Sequence, residues 1–228
     1  MTLVLCWDID GTLLTTGRAG IFAWQDAAAE QVGHPVDFST LQTAGLTDVE
    51  IAVRIAERFG LAAAGAEALL GRYQALLPDR LHRRKGSVLP GVRPILEAVR
   101  DRPDVVSVLL TGNTEAGARA KLSHYGLDKF FDRGAFADGC RDRGAIARRA
   151  LDVAREVLGR EAPPSRLYVI GDTPHDIACA RAIGARAVAV ASGSYGMEEL
   201  ARHDPWWLLP ELPTPALFLT HLEPPPSR

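Results

Sequence analysis

Residues 3–14 read LVLCWDIDGTLL, an apolar run that stops at Asp8 and Asp10, two residues apart, and resumes after Gly11 and Thr12. Near-continuous apolarity without alternation is what a strand needs when helices cover both faces of a parallel sheet. Residues i and i+2 of a strand project to one side, so Asp8 and Asp10 should converge where this strand ends. Two carboxylates brought together repel each other, and the pattern requires something that relieves the repulsion.

Similar runs follow downstream: VVSVLL (105–110), a weaker RGAF (133–136), RLYVIG (166–171) and ARAVAVA (185–191). Helical segments lie between them, which predicts an α/β fold: a Rossmann-like open parallel sheet with helices on both faces and right-handed crossovers. The interval between the first two strands is too long for one crossover. It shows helical periodicity at about 19–33, 47–60 and 64–83, and it is flanked by LTTG and KGSVLPG, whose glycines and proline suit hinges. The expected organisation is therefore a core domain of residues 1–14 and 89–222, an inserted all-helical cap of residues 15–88, and a disordered tail of residues 223–228, where three prolines are consecutive. A ligand would be enclosed between cap and sheet.

The 26 basic and 28 acidic side chains leave a net charge of −2, so no global field attracts nucleic acid or an anionic membrane. Cys6, Cys140 and Cys179 are odd in number and widely spaced, which suits a reducing cytoplasm better than a disulfide framework or zinc cluster. No run reaches the ~20 apolar residues of a membrane span, and no secretory leader is evident. No Gly-x-Gly-x-x-Gly follows a strand, which disfavours a dinucleotide enzyme. Oligomeric state is open.

Open parallel sheets bind ligands at the carboxyl ends of their strands. There the chain carries DID (8–10), LLTGNT (109–114) and VIGDTPHD (169–176). Together, in this order and spacing, these motifs resemble the haloacid dehalogenase-like superfamily of phosphohydrolases. The resemblance runs from Val4 to about Leu212 and is specifically to phosphoglycolate phosphatase-like members with a helical cap between the first two strands. It implies a Mg2+-dependent phosphatase acting on a small phosphorylated metabolite.

On that resemblance Asp8 is the nucleophile that forms an aspartyl-phosphate. Asp10 protonates the leaving alkoxide, later takes a proton from water, and offers a backbone carbonyl to the metal. Asp8 and Asp172 supply the carboxylate ligands, because hard Mg2+ prefers oxygen donors. Thr111 and the amides of Gly112 and Asn113 hold phosphate oxygens. Asp176, one turn into the helix that Thr173 and Pro174 begin, orients the metal loop or is simply a favourable charge at a helix N-terminus. The family's usual lysine, often before proline, has no counterpart ahead of the last acidic motif. Lys121 and Lys129 lie too early and read as solvated helix-surface charges. Arg143, more than Arg141, resembles a variant of that motif, and a guanidinium fork can grip phosphoryl oxygens and Asp8 together.

In the expected cap, GLTDVEI (45–51) resembles the specificity loop of related phosphatases through Thr47 and Asp48. The same letters form a capping box from Thr47 to Glu50, and the two readings are compatible. Arg18 either faces a negative substrate group or is a solvated hinge residue. Phosphomutases share these motifs, and a catalytically silent binding protein could retain the fold. A carbon–halogen hydrolase fits less well, since such enzymes need no metal and generally lack the second aspartate.

Overall fold

The computed structural model describes residues 2–38, 40–159 and 163–222; the tail expected at 223–228 lies outside them. Among the described residues six strands make one sheet: β1 (Leu3–Trp7), β4 (Val105–Leu110), β5 (Gly134–Ala135), β6 (Leu167–Gly171), β7 (Arg186–Val190) and β8 (Trp207–Leu209). Their order is β5-β4-β1-β6-β7-β8, and every pairing is parallel. Helices α4 (Val92–Arg100), α5 (Glu115–His124), α6 (Arg143–Leu158), α7 (Pro174–Ala182), α8 (Met197–Ala201) and α9 (Pro215–Leu222) complete this layer structure. The α/β reading of the sequence holds.

Strand β1 is buried at every residue from Leu3 to Trp7. Leu3, Leu5 and Trp7 pack into one core with Ile95, Leu122 and Phe218, while Val4 and Cys6 pack into a second with Ile146, Ala150 and Ile177. The period of two thus feeds both faces, and each large apolar side chain so buried contributes roughly 1.5–3 kcal/mol.

The edge strand β8 lies in PWWLLPEL (205–212), a segment without readable periodicity. Three residues beside two prolines carry too short a pattern. The strand is held by neighbours distant in sequence: the Trp207 ring lies 3.9 Å from that of His221 and 6.1 Å from that of Phe218.

Between β1 and α4 lie a short antiparallel ladder and three helices. The ladder joins β2 (Leu14–Thr15) to β3 (Ser87–Val88), so the two ends of the intervening segment run side by side. Helices α1 (Ala19–Val32), α2 (Asp48–Arg58) and α3 (Ala63–Arg83) share a core of their own, including Trp24, Ile51, Ile55, Leu69, Tyr73 and Leu77. Trp24 and Tyr73 stack with ring centroids 4.0 Å apart. Phe22 instead lies under the Arg84 guanidinium, and Ile21 and Phe59 are only partly buried. Among the described residues no helix is long and apolar enough to cross a membrane.

Candidate active site

The C-terminal ends of β1, β4, β6 and β7 and the inner sides of α1–α3 enclose a cavity of about 440 Å³. Asp8 enters it first. Its amide donates to the Ile170 carbonyl at 3.0 Å, which carries the β1–β6 ladder one residue past the strand and leaves the carboxylate buried. Gly11, at φ +83°, turns the chain immediately afterwards, a conformation other residues rarely adopt. Asp10 lines the same cavity, with more of its side chain open to it than Asp8.

Asp172 follows β6 and accepts a hydrogen bond from the Thr12 hydroxyl at 3.1 Å. Asp176 sits one turn into α7, where a reciprocal cap forms: Thr173 donates to Oδ2 of Asp176 from its amide at 3.1 Å and from its hydroxyl at 2.7 Å. The other Asp176 oxygen pairs with Arg143. Oxygens of Asp8, Asp172 and Asp176 all lie within 4.8 Å of one another.

Arg143, at the start of α6, has a side chain only 10% exposed and reaches Oδ1 of Asp8 at 3.7 Å. Arg141 points elsewhere, to Glu50 at 2.6 Å on the surface. Gly112 and Asn113 line the cavity, whereas Thr111 stands behind them, its hydroxyl accepting from the amide (3.2 Å) and side chain (2.8 Å) of Asn113. A Cβ at Gly112 would sit 2.6 Å from the Leu46 carbonyl oxygen and 2.8 Å from Arg143, so a side chain is excluded there.

The helices above the sheet are fastened to the same loop. The Asp48 carboxylate accepts from the Thr114 amide at 2.9 Å, and the Asp48 amide donates to the Gly112 carbonyl at 2.7 Å. Thr47 caps α2 by accepting from the Glu50 amide at 3.0 Å and does not line the cavity, whereas Asp48 does. Arg18 lines the cavity mouth from an exposed position with φ +67°.

Lys121 requires a correction. It is not a solvated charge: the residue is 4% exposed, and its ammonium donates to Asp10 Oδ2 at 2.5 Å and to Asn113 Oδ1 at 2.6 Å. Gly117, Ala118 and Leu122 share its buried helix face, and that spacing was the signal available in the sequence. The general habit of lysine to be exposed outweighed it. Lys129 is exposed, as read. Ser192, Gly193 and Ser194 after β7 also line the cavity and were passed over; the Ser192 hydroxyl donates to the Gly11 carbonyl at 2.7 Å. Their position at a strand's carboxyl end was the clue.

The electrostatics are those of a cation site. Burial, then the neighbouring Asp176, pushes Asp172 up to about 9; burial, then Asp176, pushes Asp8 up to about 8, with Arg143 pulling the other way. Burial disfavours the charge on Arg143, but Asp176 and Asp8 more than offset it and hold the guanidinium above its ordinary value. With all three ionised, the carboxylates outweigh the one guanidinium by two negative charges in a cluster of hard oxygen donors, and a divalent ion such as Mg2+ is the partner that fits that ionised form. Both oxygens of Asp176 are engaged, so Asp8 and Asp172 are the side chains left to hold it.

The folded state keeps protons on Asp8 and Asp172 that the unfolded chain has lost above about pH 4. Metal-free stability should therefore fall as pH rises from about 4 toward 8–9. We expect the metal-free protein to melt roughly 10–20 °C lower at pH 8 than at pH 6, from about 1.4 kcal/mol per pH unit for each such group. Saturating Mg2+ should largely close that gap, as read by calorimetry.

The family model of haloacid dehalogenase-like hydrolases matches residues 5–181. Tyrosine-protein kinase PtkA of Mycobacterium tuberculosis is 31% identical over 197 residues, 85% of this chain and 63% of that protein, so the chain spans less than two thirds of that relative. A phosphoglycolate phosphatase of Synechococcus elongatus is 29% identical over 207 residues, 90% of this chain and 91% of its own length. The crystal structure of a predicted phosphoglycolate phosphatase from Haemophilus somnus superposes with a TM-score of 0.75 at 16% identity, covering 97% of this chain and 98% of that one, a likeness of fold.

Proposed function

The chain belongs to the haloacid dehalogenase-like hydrolase family, and on that footing we propose that it is a Mg2+-dependent phosphatase that hydrolyses a small phosphomonoester through an aspartyl-phosphate on Asp8. The observation that carries this reading is the buried Asp8–Asp172–Asp176 cluster at the strand ends, gripped by Arg143 inside a cavity of metabolite size. Residues 15–88 act in it as a cap that keeps bulk water out.

In the first half-reaction an Asp8 oxygen attacks phosphorus and the bond from phosphorus to the leaving oxygen breaks, while Asp10 gives that oxygen a proton. In the second, water attacks the same phosphorus, Asp10 takes the proton, and the bond to Asp8 breaks. Ester and water become alcohol and inorganic phosphate. Arg143 and the Gly112–Asn113 loop hold the phosphoryl oxygens, with Thr111 orienting Asn113 from behind. Asp8, Asp172 and the Asp10 carbonyl would hold Mg2+, which supplies charge neutralisation between carboxylate and phosphate. Asp176 positions Arg143 and the loop of Asp172. Asp48 fastens the cap, Thr47 caps its helix, and Arg18 guards the mouth.

The test is a screen of phosphomonoesters with Mg2+, including 2-phosphoglycolate, sugar monophosphates and nucleoside monophosphates, with free phosphate measured separately from isomerised sugar. Phosphate release with kcat/KM above about 10⁴ M⁻¹s⁻¹ for at least one small ester is expected. The 31% identity to a tyrosine-protein kinase gives a second reading, phosphoryl transfer from ATP to a tyrosine. Phosphotyrosine formed without phosphate release from any monoester would favour it, and isomer formed without phosphate would favour a mutase.

A further inference from the structure

The buried lysine opposite Asp10 has no role in the chemistry above. Lysine is almost never buried without a partner, and Lys121 has two, both in the cavity wall. Asp10 Oδ2 receives the ammonium at 2.5 Å and the Asn113 amide Nδ2 at 2.8 Å, while among the described residues no donor reaches Oδ1. The Asn113 amide is in turn fixed from both ends: its oxygen accepts from Lys121 at 2.6 Å and its nitrogen donates to Thr111 at 2.8 Å as well as to Asp10. The three side chains form a closed ring of hydrogen bonds anchored on helix α5. Asp48, which fastens the upper helices to the same loop, is close enough to Lys121 to draw on its charge.

We propose that Lys121 is a positioning residue: it and Asn113 hold one oxygen of Asp10 against the wall, so that the other is presented to the leaving group and to water. The inference rests on the phosphatase reading and adds a residue to it. A carboxyl that must deliver a proton works only within hydrogen-bond reach of the departing oxygen, and a freely rotating side chain would spend most of its time elsewhere.

The test compares two esters under Mg2+ saturation: p-nitrophenyl phosphate, whose leaving group departs without a proton, and 2-phosphoglycolate, or whichever alkyl ester wild type turns over fastest. In Lys121→Met, kcat/KM for the alkyl ester should fall about 100-fold and for the aryl ester less than about 10-fold. Equal losses on the two esters in a variant that still melts cooperatively would overturn the proposal, as would no loss on either. If Lys121→Met does not fold, Lys121→Gln is read by the same ratio, with the same selective loss expected and an unselective one contradicting it. Failure of wild type to hydrolyse any monoester would instead sink the phosphatase reading itself.

Discussion

Asp8→Asn should lower kcat by about 10⁴-fold or more and at the same time make the metal-free protein harder to melt at pH 8. The two effects have one cause. Asparagine keeps the shape of the side chain but is a far weaker nucleophile, so the bond to phosphorus does not form. The same change removes a carboxylate whose ordinary ionisation is opposed by burial and by Asp176, so the folded state gains at neutral and alkaline pH. A purely structural aspartate would give neither combination: its loss would lower the melting temperature along with the rate. Paired measurements of kcat and calorimetric melting, with and without Mg2+, separate the cases.

Metal removal should have an effect of similar size. Exhaustive chelation is expected to bring phosphate release down by about 10³-fold or more, restored by Mg2+, because a buried anionic cluster repels the phosphate it must bind. Asp172→Asn should reproduce that loss in the presence of Mg2+, since it removes a carboxylate that no other charged group in the cluster ties up. Its hydroxyl partner, Thr12, can still donate to the amide oxygen, so the fold should survive. Full activity of Asp172→Asn at millimolar Mg2+ would show that the ion is not held there. Asp176→Asn offers a contrast, because its oxygens serve Arg143 and the cap of α7, and its loss should lower the melting temperature as well as the rate.

The parallel sheet was legible because its strands are continuous apolar runs and its helices are periodic. Asp8, Asp10 and Asp172 were legible because short motifs at strand ends leave the chain little choice about where their side chains go. Arg143 was harder to read, since it is separated from Asp8 by most of the chain and is brought to it only by the packing of α6 on the sheet; its 3.7 Å approach is a tertiary fact. Lys121 was misread for the complementary reason. Its burial depends on an aspartate 111 positions earlier, and the intrinsic preference of the residue type points outward. Asp48 and Thr47 show the same limit: one spans from the helical segment to Thr114 while the other stays at its own helix end, and adjacent letters do not distinguish them.

The measurement that bears most directly on the account is identification of the residue that carries phosphorus during turnover. Wild-type protein is quenched in acid while hydrolysing its best ester with Mg2+, reduced with borohydride, digested and sequenced by mass spectrometry. Conversion of Asp8 to homoserine, dependent on substrate and absent from Asp8→Asn, is the predicted result. Undiminished phosphate release with Asp8 unmodified, or phosphorus carried on any other side chain, would contradict it.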